Sequence, residues 1–93
     1  MATQRALVVD DEPDIRELLT ITLERMGLGV AAVGDVAAAR RSLGAERFNL
    51  VLTDMKLPDG NGLDLLQWIQ THRFGVPVAV ISARAGPDMK PGP

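Results

Sequence analysis
The stretch Ala6–Asp11 constrains this chain more than any other. Four apolar residues, Ala6, Leu7, Val8 and Val9, run without interruption into Asp10, Asp11 and Glu12. An unbroken apolar run of this length suits a strand covered on both faces, as in a parallel sheet. "NLVLT" (Asn49–Thr53) and "PVAVI" (Pro77–Ile81) read the same way, and "GVAAV" (Gly29–Val33) is a weaker fourth candidate.

Helical patterns fill the gaps. Pro13 suits an opening turn, with Asp14 and Glu17 at the positive end of the helix. Ile15, Leu18, Leu19, Thr22, Leu23 and Met26 recur at three- and four-residue spacing and predict one inward stripe, with Gly27 as the stop. Asp35 is a good N-cap for a second helix running to Gly44. A third covers about Leu63 to Thr71, with Leu65, Leu66 and Ile69 facing inward. The order β-α-β-α-β-α-β predicts an α/β fold, a doubly wound parallel sheet with helices on both faces. After Ile81 the pattern stops, and the Pro- and Gly-rich "SARAGPDMKPGP" reads as irregular.

At 93 residues the chain suffices for one small domain. Its net charge of −2, with acids and bases interleaved, lacks the basic stripe of a nucleic-acid face. It has no cysteine, so neither disulfides nor thiolate chemistry arise. No apolar run reaches membrane-spanning length and Met1–Arg5 is no secretory signal, so no membrane partner is expected and the default location is cytoplasmic.

The acids at the strand ends carry the functional argument. Ligands of an open α/β sheet bind beyond the carboxyl ends of its strands. Asp10 and Asp11 follow the first strand and Asp54 follows "NLVLT". If those strands are neighbours, three carboxylates converge. At about 5 Å and an effective dielectric near 20, each pair repels by roughly 3 kcal/mol. Such a cluster must protonate or bind a cation. Hard oxygen donors with room for water suit Mg²⁺. The plainer reading, caps and dipole partners, fits Glu12 best. It does not account for the combination of Asp10, Asp11 and Asp54. "LPDGNG" reads as turn chemistry, Trp68 as a partly buried helix residue, His72 as a solvated residue or helix C-terminal partner, and Arg40 and Arg41 as a solvated face.

In "LVVDDEP", "LVLTDMKLPDGNGLDLL" and "PVAVISA" the sequence resembles the response-regulator receiver (CheY-like) domains of two-component signalling, over about Ala6 to Ala83. The middle motif and "DIRELLTITLERMGL" are most similar to the nitrogen-regulation (NtrC-like) branch and, within it, to regulators of type IV pilus genes. The resemblance implies a flavodoxin-like receiver fold and a sensor histidine kinase as partner. It implies Asp54 as phosphoryl acceptor and Asp11 as direct Mg²⁺ ligand, with Asp54 and the backbone carbonyl of Lys56 beside it. Asp10 would hold the metal through water. Ser82 matches the switch hydroxyl, followed by the small Ala83. Such a domain catalyses its own phosphorylation but is not an enzyme on an outside substrate. Sigma-54-dependent transcriptional output would come from other domains, so this segment itself is not expected to bind nucleic acid.

The pattern then departs from the family. A complete receiver adds a helix, a strand and a closing helix after the Ser82 position, with a lysine ending that strand. Here only seven residues separate Ser82 from Lys90–Pro91, and a crossover with its helix needs at least about 10–12. Either the dipeptide is coincidental, the reading preferred here, or a short loop brings Lys90 to the site. The expectation is an incomplete receiver over residues 1–83 and an irregular tail over 84–93. Its last strand would lack a neighbour, and an apolar edge left open predicts a homo-oligomer. The competing reading is a receiver-fold interaction module without phosphate chemistry. A phosphohydrolase with an aspartyl nucleophile is disfavoured because Lys56 stands where those enzymes carry a second acid. A dinucleotide fold is disfavoured because no G-x-G-x-x-G follows the first strand.

Overall fold
The computed structural model describes residues 4–72 and 75–81. Its elements are β1 (Arg5–Val9), α1 (Pro13–Arg25), β2 (Gly29–Val33), α2 (Val36–Ala45), β3 (Leu50–Asp54), β4 (Lys56–Leu57), β5 (Gly60–Asn61), α3 (Gly62–His72) and β6 (Val78–Ile81). Strands β2-β1-β3-β6 form one sheet in that order, every pair parallel. β1 lies inside the sheet because its side chains are apolar on both faces: Ala6, Leu7, Val8 and Val9 are all buried.

The pleat divides β1 between two cores. Leu7 and Val9 pack with Val51 under α2 and α3, which contribute Val36, Ala39, Leu43, Leu65 and Ile69. Ala6 and Val8 face the other way, where Leu23 of α1 is buried and Leu19, Val30, Leu50 and Leu52 pack in part. The predicted α/β doubly wound parallel sheet is therefore present, with helices on both faces.

Local signals set the helix ends. Pro13 occupies the first turn of α1, and the chain leaves through Gly27 at φ 91°, a left-handed conformation that favours glycine. Asp35 caps α2 by accepting the Ala38 N–H at 2.7 Å.

Two expectations are corrected. The predicted α1 stripe is narrower than its spacing implied: Leu18 is 61% and Met26 70% exposed, Thr22 is exposed, and Leu23 alone is fully buried. The helix rests on the sheet along Leu19 and Leu23. Leu18, Ile21 and Met26 face outward. "LPDGNG" is also more than a turn, since Lys56–Leu57 pairs antiparallel with Gly60–Asn61. Backbone pairing there needs no apolar alternation, so the sequence pattern carries no mark of it. Ser82, Ala83, Lys90 and the expected tail lie outside the described residues.

Candidate functional site
The sheet order places the functional edge. From β1 the chain goes first to β2 on one side and then to β3 on the other, so a crevice opens beyond the carboxyl ends of β1 and β3. Val9 is level with Thr53 in the parallel register. The next residue on each strand is an aspartate, so Asp10 and Asp54 stand side by side.

Asp10, Asp11 and Asp54 each offer a carboxylate oxygen, and the three oxygens lie within 4.8 Å of one another. Asp10 is 1% and Asp54 3% exposed, while Asp11 is half-buried. The backbone fixes the buried pair. Asp10 donates its N–H to the Val33 carbonyl at 3.0 Å, and its Oδ1 accepts the Glu12 N–H at 2.9 Å. Asp54 Oδ1 accepts the Met55 N–H at 2.8 Å. Glu12 occupies the N-cap position of α1, but its side chain makes no capping bond.

The segment after Asp54 is held equally tightly. Lys56 opens β4 opposite Asn61, and its side chain is exposed. The Met55 carbonyl accepts the Gly62 N–H at 2.8 Å. A Cβ at Gly62 would stand 2.7 Å from the Asp54 carbonyl oxygen, so glycine lets α3 start directly against the acid. Asp59 reaches back to α2, accepting the Val36 N–H at 2.8 Å and the Ala37 N–H at 3.0 Å. Those two bonds, Val36 first, hold its carboxyl below the usual value of 3.8.

Thus three of the expected site residues converge, and Lys56 follows Asp54 by two positions at the mouth. His72 lies away from the acids, on α3, with Nδ1 2.8 Å from the Trp68 carbonyl. Trp68 is half-buried, as its pattern predicts, and Arg40 lies over its ring at 5.5 Å. Sequence reasoning missed Asp59 and Arg16. Arg16 donates from Nη1 to the Asp10 carbonyl at 2.8 Å. Nothing in their neighbouring residues signals these contacts. No described helix is long and apolar enough to cross a membrane.

Comparison with known proteins agrees with this arrangement. Residues 6–91 match the family model of the response regulator receiver domain. The chain is 56% identical over 88 residues to the response regulator protein PilR of Pseudomonas aeruginosa, covering 95% of this chain and 20% of that protein. It is 40% identical over 81 residues to the DNA-binding response regulator MtrA of Mycolicibacterium smegmatis, covering 87% of this chain and 35% of that protein. Among solved structures, the Mg²⁺–BeF complex of response regulator TrrA from Thermotoga maritima superposes with a TM-score of 0.83 at 28% identity, covering 94% of this chain and 77% of that one. The chain thus spans about a fifth to a third of the curated relatives' lengths. It belongs to the response regulator receiver domain family, and its fold is the flavodoxin-like receiver fold.

Proposed function
We propose that this receiver domain accepts a phosphoryl group from a sensor histidine kinase on Asp54. Receiver domains of response regulators are phosphorylated by such kinases. The observation that carries the proposal is the convergence of three carboxylate oxygens within 4.8 Å at the strand ends. A donor set of hard anionic oxygens, two of them on buried residues, fits Mg²⁺. Asp11, Asp54 and the Lys56 carbonyl would hold the ion, with Asp10 acting through water. Mg²⁺ supplies charge neutralisation at the transferring phosphoryl group.

The residues' own part follows from their chemistry. An ionised Asp54 oxygen forms the new O–P bond while the P–N bond to the kinase histidine breaks, and no base is needed to activate a carboxylate. Backbone bonds at Met55 and Gly62 orient the nucleophile before the donor arrives. Asp54 is level with Ile81 in the β3–β6 register, and Ser82 follows Ile81 in sequence, in keeping with a switch hydroxyl. The wider proposal is a place in a longer protein that regulates transcription, sigma-54-dependent and directed at pilus genes. It rests on the similarity to PilR and on the pilus-regulator motifs.

A second reading is an interaction module that pairs without phosphate chemistry. It is favoured by β6, which among the described residues is an edge strand whose four residues are all only partly buried. A second copy of the chain is the proposed occupant of that edge, through backbone groups that an edge strand leaves open.

Intact-mass measurement after incubation with acetyl phosphate and Mg²⁺ decides between the two. The expected outcome is one added phosphoryl group, lost in Asp54→Asn and in EDTA. A folded wild type with no adduct would leave the interaction module as the function.

A further inference from the structure
Resting on the phosphoryl-acceptor reading, we propose that Arg16 is a positioning residue: it fixes the peptide group between Asp10 and Asp11 and thereby aims both carboxylates into the site. Arg16 is the fourth residue of α1. Its side chain turns back toward the strand end, and Nη1 donates to the Asp10 carbonyl oxygen at 2.8 Å. That carbonyl belongs to the peptide joining the two acids. Two other polar atoms of Asp10 are anchored elsewhere, the N–H on Val33 and Oδ1 on the Glu12 N–H. With the N–H held on Val33 and the carbonyl held by the guanidinium, both sides of Asp10's backbone are tethered, and Arg16 bears on the tilt of the plane from which Asp11 departs. A charged donor does this more firmly than water.

Two features argue that the contact is built. A cation near a helix N-terminus opposes the macrodipole, so local helix stability does not explain Arg16. The β2–α2 loop also leaves it room. A Cβ at Gly34 would stand 3.0 Å from Arg16 Nη1 and 3.9 Å from the Asp10 carbonyl oxygen. Gly34 thus forms the floor of a slot that holds the guanidinium against the acidic loop. Partners that orient metal-binding groups from behind typically change metal affinity by about 10–100-fold when removed.

The test is calorimetric titration of the full chain with Mg²⁺ and no phosphodonor, on wild type, Arg16→Met, Arg16→Lys and Gly34→Ala. Arg16→Met is expected to raise Kd about 10-fold or more, with Lys recovering part of the loss. Gly34→Ala displaces only the end of a flexible side chain. It is expected to raise Kd in the same direction while the metal-free Tm stays near wild type, so it decides the matter even if Arg16→Met folds poorly. Saturating Mg²⁺ is expected to restore the rate of phosphorylation by acetyl phosphate. If wild type binds Mg²⁺ and is phosphorylated while Arg16→Met and Gly34→Ala both keep Kd within about twofold, the positioning role is overturned and the phosphoryl-acceptor reading stands. A lowered metal-free Tm with unchanged Kd overturns it too, since Arg16 would then serve the fold alone. A folded wild type that neither binds Mg²⁺ nor takes a phosphoryl group overturns both.

Discussion
Asp59 shows how one carboxylate can link the loop after Asp54 to another helix. Its two oxygens take the Val36 and Ala37 N–H groups, and Asp35 takes that of Ala38. Three otherwise orphan donors at the start of α2 are thereby satisfied. Because those bonds favour the ionised form, the folded pKa lies below the ordinary 3.8. The stabilising contribution is therefore full above about pH 4 and is lost as pH falls through the lowered folded value. Unfolding followed by Trp68 fluorescence should show wild type losing stability below about pH 4 more steeply than Asp59→Asn, which has no such charge to lose. At neutral pH Asp59→Ala should be the less stable protein. Asp10, Asp11 and Asp54 could be read from the sequence because each follows an apolar run that fixes its place at a sheet edge. Asp59 and Arg16 could not. Asp59 meets its partners 22 and 23 positions away across a turn that explains it locally, and Arg16 bonds a backbone carbonyl, which has no residue identity.

Among the elements, the four strands of the main sheet lie within about a residue of the positions that their apolar runs predict; the run is a strong and continuous signal even where, as in β2 and β6, the strand is only partly buried. The β4–β5 pair left no such signal because backbone bonds, not side chains, make it. The α1 stripe misled for another reason: spacing identifies which residues share a helix face, not how much of that face is covered. Two glycines test element packing in opposite directions. Gly62→Ala would drive a methyl to 2.7 Å from a backbone oxygen where α3 meets β3, and should cost about 1–3 kcal/mol in denaturant unfolding. Gly44, within α2, has nothing within 4 Å of an added Cβ. Gly44→Ala should stabilise the protein by roughly 0.5–1 kcal/mol through helix propensity.

At the scale of the molecule the two faces are unequal. Among the described elements α2 and α3 cover one, and α1 alone packs on the other, with Leu18 and Ile21 turned outward. Together with the β6 edge this supports self-association, and sedimentation velocity across a concentration series should show a dimer or larger species. A well-folded monomer at the highest concentration would rule that out. The topology has a further consequence during synthesis. β1 is made first, yet its neighbours are both later segments: Ala6 lies level with Val30 on one side and Leu50 on the other. On the ribosome, Ala6–Val9 must therefore wait without a partner until the chain has passed Val33, and without its second until Asp54 is made. The most completely buried of the described strands is the one that waits longest for its neighbours in the nascent chain. That interval is when it is open to chaperones and to mispairing with other unfinished copies.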